Sequence, residues 1–118
     1  MVENRRMILL FVDGLGLGVA DPMVNPIHSG VCPSLEELLR DHSVPIDAAL
    51  GVEGLPQSAT GQATLFTGID CIRAMGRHVE GFPGSQLKAI IHEHSIFRQL
   101  AACGKSSTFA NAYFADEV

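Results

Sequence analysis

The sequence has few aromatic residues, no basic run and no long apolar run, and each absence argues against a class of protein. Aromatic residues make up 6% of the 118 residues, and tryptophan is absent. The chain has 8 Lys and Arg residues and 13 Asp and Glu residues, which gives a formal net charge of −5. Because basic residues are neither clustered nor interleaved with aromatic ones, we expect no binding to nucleic acid or to a membrane surface. No apolar run approaches the roughly 20 residues of a membrane-spanning helix.

Cysteine is scarce as well. The sequence has three cysteines, an odd number without C-x-x-C spacing: Cys32, Cys71 and Cys103. It therefore indicates neither a disulfide framework nor a zinc ribbon. Two arginines before the apolar residues 7–12 are similar to the start of a signal peptide, but the run is short and no small-residue cleavage site follows it. The predicted location is therefore the reducing cytoplasm.

The chain is rich in apolar residues for its size. They make up 47% of the sequence, and charged residues make up 18%, so we expect one domain at most, with an excess of apolar surface. A second copy of the chain, or a missing continuation of it, would cover that excess. The stretch 107–118 is strand-like and stops without a capped helix. We therefore interpret residues 1–118 as the N-terminal part of a single domain whose C-terminal half is absent.

Strand-like and helix-like segments alternate along the chain. The predicted strands are residues 7–12, 45–51 and 105–110, and the predicted helices are residues 34–40, 59–67, 85–93 and 95–102. The helix limits come from predicted caps: Ser34 with Glu37 in a capping box, Ser85 and Ser95 at N-termini, and Gly68 and Gly104 past C-termini. This alternation predicts an α/β fold in which helices are layered on a mainly parallel sheet.

Asp13 follows the first predicted strand, within DGLGLG, residues 13–18. Ligands of open α/β sheets bind beyond the carboxyl ends of the strands, which places Asp13 in the expected site region. The glycine spacing does not match the dinucleotide fingerprint G-x-G-x-x-G, and no helix-like pattern follows it. A carboxylate at this position fits a hard divalent cation. An aspartate that only begins a turn is an equal alternative.

Ser58 lies in GLPQSATGQATLFTG, residues 54–68, at or just before the start of an apolar helix. Backbone amides and the helix dipole at such a position favour a phosphate or a serine alkoxide, and a bound cation would activate the hydroxyl without a histidine. Gly61 would let the backbone approach a ligand, while Leu65 and Phe66 are expected on the buried side. From the residues alone, a simple capping role for Ser58 is the stronger alternative.

Other polar motifs give weaker signals. CGKSS, residues 103–107, lacks the glycine spacing and the strand–loop–helix order of a phosphate-binding loop. His92 and His94 are two residues apart, so a helix would point them to different sides, and a solvated helix end is favoured over a metal pair. His78 follows Arg77, which could contact an anion.

Together, the strand that ends in Asp13 and the segment QSATGQ, residues 57–62, resemble the alkaline phosphatase superfamily of metalloenzymes. The most similar branch contains cofactor-independent phosphoglycerate mutase and phosphopentomutase. Residues 81–113 also resemble uncharacterised metalloenzyme-domain proteins of that branch, so the resemblance spans residues 7–113. Gln62 departs from the mutases, which have histidine at this position.

The resemblance implies a metal-dependent phosphoryl-transfer enzyme, a phosphatase, phosphomutase or related hydrolase acting on a phosphorylated small molecule. It implies that Asp13 ligates one of two divalent cations, manganese or zinc with magnesium as a further candidate, and that Ser58 is the phosphorylated nucleophile and also contacts metal. The family's other Asp and His ligands lie in a C-terminal half, so we expect this piece to be inactive or nearly so.

Two alternatives stay open. The first is a non-catalytic α/β module that binds a phosphorylated ligand or a protein partner at the helix start near Ser58. The second, a nucleotide-binding enzyme built on the glycine-rich loop at residues 13–18, is disfavoured by the glycine spacing.

Overall fold

The computed structural model describes residues 6–111 of the chain, which divides into two compact units, Met1–Ile46 and Asp47–Val118. The described elements are a 3-10 helix and five α-helices: Pro26–His28, α1 Pro33–Asp41, α2 Ser58–Thr67, α3 Cys71–Met75, α4 Ser85–His94 and α5 Ile96–Ala102. Over residues 6–111 there is no β-strand. The predicted α/β fold with a parallel sheet is therefore wrong for this part of the chain.

The three predicted strands lack partners among the described segments. Residues 7–12 are irregular and exposed, from 39% at Phe11 to 94% at Ile8. Residues 45–51 contain a turn in which Leu50 N donates to the Asp47 carbonyl at 3.4 Å, and residues 105–110 are also irregular. An apolar run supplies β-propensity, but a strand forms only when a neighbouring segment completes its hydrogen-bond ladder. The stretch 107–118, expected to be strand-like, is irregular over residues 107–111, and its residues 112–118 lie outside the described part.

The unit Met1–Ile46 is organised by side chains that bind backbone groups. Asn25 Nδ2 donates to the carbonyls of Leu17 at 2.7 Å and Val19 at 3.0 Å, and Asn25 Oδ1 accepts from Ile27 N at 3.2 Å. Asn25 thereby caps the 3-10 helix and holds the glycine-rich loop. A Cβ at Gly18, whose φ is +60°, would lie 2.8 Å from Asn25 Nδ2, so glycine is needed there.

Helix α1 confirms the predicted helix but not its predicted cap. It begins one residue before Ser34, with Pro33 as the first helical residue and Cys32 at the N-cap, so the capping box of Ser34 and Glu37 is wrong. Glu36 instead accepts a hydrogen bond from Gly30 N at 2.9 Å. Proline suits the first helical position because the missing N–H would have no partner within the helix.

The unit Asp47–Val118 has a small helical core. Helix α2 packs against α3 and α4, and α4 packs against α5. The core consists of Ala59, Ala63, Cys71, Ile72 and Leu87, with Met75, Val79, Ile90 and Ile91 packed around it. Three aromatic rings form a second cluster, with centroid distances of 5.8 Å for Phe66–Phe97, 5.5 Å for Phe66–Phe109 and 5.9 Å for Phe97–Phe109.

Most of the predicted helix ends in this unit are confirmed. Gly68, with φ of +72°, follows α2 and donates to the Thr64 carbonyl at 2.9 Å. Ser95 caps α5 by accepting from Arg98 N at 3.4 Å. The predicted Ser85 cap is wrong, because Ser85 is the first residue of α4 and Gly84 is the N-cap. No helix within residues 6–111 is long and apolar enough to cross a membrane.

Candidate functional site

Ser58 is the first residue of α2, and it is partly buried. The N-cap is Gln57, whose extended backbone has φ of −125° and ψ of 151°. The helical conformation therefore begins at Ser58, directly after the extended N-cap Gln57. The serine hydroxyl lies in the first helical turn. This is the position that the sequence predicts for the serine of QSATGQ, with Gln57 rather than Ser58 at the cap.

Two amides of this first turn already have an acceptor. The Val79 carbonyl accepts from Ala59 N at 3.2 Å and from Thr60 N at 3.4 Å. In return, Val79 N donates to Thr60 Oγ1 at 3.2 Å. The predicted anion site at these amides is therefore filled by the backbone carbonyl of Val79, a long-range contact that has no local signal in the sequence.

The other hydroxyl residues of α2 also hold neighbouring segments. Thr64 Oγ1 accepts from Cys71 N at 3.1 Å, and Thr67 Oγ1 accepts from Ile69 N at 3.1 Å. Thr60, Thr64 and Thr67 are spaced at i, i+4 and i+7, so they lie on one face of the helix. The i, i+4, i+7 spacing is visible in the sequence. It could have predicted that these threonines pack against neighbouring segments and form hydrogen bonds with their backbone.

The remaining predictions for α2 have mixed outcomes. Leu65 is 53% exposed, so its predicted burial is wrong, whereas Phe66 is partly buried in the aromatic cluster. A Cβ at Gly61 would have no described atom within 4 Å. Close packing of the described chain is therefore not the reason for glycine at position 61.

An open cleft of about 550 Å³ lies beside the entrance to α2. Its walls come from two segments, one before the helix and one after α3: Glu53, Gly54, Leu55 and Gln57, and Arg77, His78, Val79 and Glu80. Arg77 presents a guanidinium that can bind phosphate oxygens in pairs. Glu53 and Glu80 add carboxylates that accept hydrogen bonds from hydroxyl groups. The two carboxylates and one guanidinium suit a polar ligand with hydrogen-bond donors, and Arg77 is the lining group that would contact an anionic part of it.

His78 joins the two walls of this cleft. Its Nε2 lies 3.0 Å from the Val52 carbonyl, which can only accept, so we assign the proton to Nε2. Nδ1 is buried and has no hydrogen-bond partner among the described residues. Gly54 packs against the ring, since a Cβ there would lie 3.0 Å from His78 Cδ2 and φ is +120°. The sequence singled out His78 only for its neighbour Arg77.

The predicted metal ligands belong to different units. Asp13 lies in a turn with Gly14 in the unit Met1–Ile46, and Ser58 lies in the unit Asp47–Val118. Over residues 6–111, no three His, Cys, Asp or Glu side chains lie close enough together to hold a metal ion. His92 and His94 occupy the last turn of α4, where His94 Nε2 lies 3.8 Å from Glu93 Oε2. Each unit on its own therefore supplies one of the two predicted metal ligands.

Comparisons with known proteins give no relative for this chain. No protein-family model matches it, no curated protein matches it, and no solved structure matches it. The resemblance to the alkaline phosphatase superfamily therefore stays a prediction from the motifs around Asp13 and Ser58 and from residues 81–113.

Proposed function

We propose that this chain supplies the nucleophile of a metal-dependent phosphoryl-transfer enzyme, and that Ser58 is that nucleophile. The observation that carries the proposal is the place of Ser58. It is the first residue of a 10-residue helix, and its neighbour Gln57 lines a cleft that also contains Arg77. The dipole of α2 favours negative charge at this end, where the Val79 carbonyl already accepts from the amides of Ala59 and Thr60. The resemblance of QSATGQ to the nucleophile segment of the superfamily supports the same assignment.

In the proposed reaction, Ser58 Oγ attacks the phosphorus of a phosphate monoester in line with the leaving oxygen. The bond from Oγ to phosphorus forms while the bond to the leaving group breaks; the serine proton passes to solvent and the leaving oxygen takes a proton. Water or an acceptor hydroxyl then removes the phosphoryl group from Ser58, which gives hydrolysis or transfer. Arg77 would donate hydrogen bonds to the phosphoryl oxygens.

We further propose that Asp13 ligates one of two divalent cations, manganese or zinc, with magnesium as the further candidate. Such cations, when bound, neutralise charge on the phosphoryl oxygens. Asp13 supplies one of the roughly six ligands that a hard cation takes. The proposal therefore requires further ligands from other residues, and it predicts that replacing Asp13 weakens metal binding.

Hydrolysis of a generic aryl phosphate by the full-length protein, with and without manganese, tests the proposal. We expect Ser58→Ala and Asp13→Asn each to lose more than about a hundredfold in kcat/KM. Ser85→Ala is the matched control, because Ser85 is likewise the first residue of a 10-residue helix, and it should retain full activity. Full activity in Ser58→Ala would rule out Ser58 as the nucleophile.

A non-catalytic module that binds a phosphorylated ligand is the second candidate, and the cleft with Arg77 favours it. Titration with inorganic phosphate separates the two functions. Phosphate binding without hydrolysis of an aryl phosphate, whichever divalent cation is added, would favour the binding module. Hydrolysis that depends on Ser58 would favour the enzyme.

We propose the cytoplasm as the location of the protein. Cys71 is buried, Cys32 and Cys103 are exposed, and all three are free thiols in the described part of the chain. Free, exposed thiols are typical of a reducing compartment.

A further inference from the structure

Residues 76–81 form an irregular segment that lies against the start of α2. Gly76 and Gly81 bound it, with φ of +67° and +66°, and both glycines therefore adopt the left-handed conformation. The residues between them form no regular element, yet Val79 is partly buried and packs against the core. Something other than secondary structure has to fix the conformation of this segment.

Thr60 holds this segment in place through hydrogen bonds to Val79. It is fully buried, its hydroxyl accepts from Val79 N at 3.2 Å, and its own N–H donates to the Val79 carbonyl at 3.4 Å. Ala59 N adds a third hydrogen bond to the same carbonyl at 3.2 Å. The Thr60 hydroxyl alone satisfies the Val79 N–H, so its removal would leave a backbone donor in this contact without its acceptor.

The contact also determines where two cleft residues lie. Arg77 and His78 directly precede Val79, and both line the cleft together with Gln57. Gln57 directly precedes Ser58 at the entrance to α2. By fixing Val79 against the first turn of the helix, Thr60 sets the distance between the Arg77 side of the cleft and the turn that carries Ser58.

We propose that Thr60 is a positioning residue, which holds residues 76–81 against α2 so that Arg77 meets the phosphoryl group of a substrate beside Ser58. The proposal rests on the proposed function. It adds that the threonine two residues after the nucleophile controls substrate binding through a backbone contact and does not itself touch the substrate.

Thr60→Val tests the proposal, because valine keeps the shape of the side chain and removes the hydroxyl. Thr67→Val is the matched control: Thr67 lies on the same helix and is also buried, and its hydroxyl accepts from Ile69 N, outside the 76–81 segment. Thr60→Ser restores the hydroxyl. The readouts are amide hydrogen exchange at Val79, the Kd for inorganic phosphate, and KM and kcat for an aryl phosphate.

We expect Thr60→Val to speed exchange at Val79, to raise the phosphate Kd and KM about tenfold, and to change kcat much less. Thr60→Ser should restore the wild-type values, and Thr67→Val should leave all of these unchanged. Equal effects of Thr60→Val and Thr67→Val on Kd and KM would overturn the proposal, because both would then report only a loss of stability.

The same measurements distinguish failure of the proposal from failure of the proposed function. A full-length wild-type protein that neither binds phosphate nor turns over an aryl phosphate contradicts the proposed function, and the substrate role of Thr60 fails with it. A wild-type protein that binds phosphate with Kd unchanged in Thr60→Val leaves the function standing and contradicts the positioning role alone. Unchanged Val79 exchange in Thr60→Val contradicts the contact itself.

Discussion

At the scale of single residues, the hydroxyl groups of α2 have mainly structural tasks. Thr60, Thr64 and Thr67 each accept a backbone N–H from a segment that follows in the chain. A hydrogen bond of this kind contributes about 0.5 to 1.5 kcal/mol net, and leaving the donor unpaired costs more. The run of small polar residues in QSATGQATLFT therefore has a reason in packing, and Ser58 is set apart by its position at the start of the helix.

Gly61 gives a prediction about stability at this scale. Because a Cβ at this helical position would meet no described atom within 4 Å, Gly61→Ala should stabilise the protein by up to about 1 kcal/mol. Gly68→Ala is the contrasting variant and should destabilise it, since φ at Gly68 is +72°. Urea denaturation of both variants measures the two effects. A less stable Gly61→Ala would mean that position 61 is packed against something that the described residues do not include.

At the scale of elements, α3 shows how a short helix is held in place. Its five residues are too few for a stable isolated helix. Asp70 accepts from Arg73 N at 2.9 Å at its N-terminus, and Cys71 and Ile72 are almost completely buried. None of the predicted helices covers residues 71–75, because five residues show no periodicity, so the prediction missed α3.

The Asp70 cap is therefore expected to matter more than the nearby ion pair. Asp70→Ala should lower the free energy of unfolding by about 1 kcal/mol, because it removes the N-cap acceptor. Arg73→Ala should change it little, since Arg73 Nε is 3.7 Å from Asp70 and its side chain is 77% exposed. Chemical denaturation measures the free energy of unfolding of the two variants. Equal decreases in Asp70→Ala and Arg73→Ala would assign the stabilisation to the ion pair.

Helix α1 gives the prediction on pH dependence. The hydrogen bond from Arg40, 2.8 Å from Nη2 to Asp41 Oδ2, lowers the pKa of the Asp41 carboxyl, and the positive charge of Arg40 lowers it further. A carboxyl whose pKa is lowered by folding contributes stability above its ordinary pKa range, and that contribution is lost as the pH falls through the folded-state pKa. The contribution should be small because the pair is exposed.

An NMR titration of Asp41 checks this prediction. Arg40→Gln should bring the pKa of Asp41 back towards its ordinary value, and high salt should reduce the shift in the wild type. A pKa of Asp41 that does not respond to Arg40→Gln would contradict the role of the guanidinium.

At the scale of the whole molecule, local features of the fold were predictable from the sequence and long-range ones were not. Each of the predicted helices is present, with ends at most one residue from the predicted ones. Periodicity and caps encode such local structure. A sheet depends on pairing between distant segments, and the apolar residues 7–12 carried β-propensity without a partner in the described chain.

In the candidate site too, local features were predictable from the sequence and long-range contacts were not. The place of Ser58 at the start of a helix follows from local sequence, whereas the contact of Thr60 with Val79 spans 19 residues and has no local signal. Arg77, His78 and Gln57 line one cleft because tertiary packing brings their two segments together.

The all-helical structure predicts how the amides of residues 7–12 behave. These residues are exposed and belong to no strand, so their amides should exchange with solvent at nearly unprotected rates. Amides in α2 and α4, which belong to the core, should exchange much more slowly. Hydrogen exchange read by mass spectrometry makes the comparison. Strong protection of residues 7–12 would mean that they form a strand with a partner.

The most direct test of the account is to trap and map the phosphorylated protein. The full-length protein is mixed with an aryl phosphate and manganese, quenched in acid, and digested for peptide mass spectrometry. The account predicts one phosphoryl group on Ser58, present in wild type and in Ser85→Ala and absent in Ser58→Ala. Turnover without phosphorylation of Ser58, or a phosphoryl group on another residue with Ser58→Ala fully active, would contradict it.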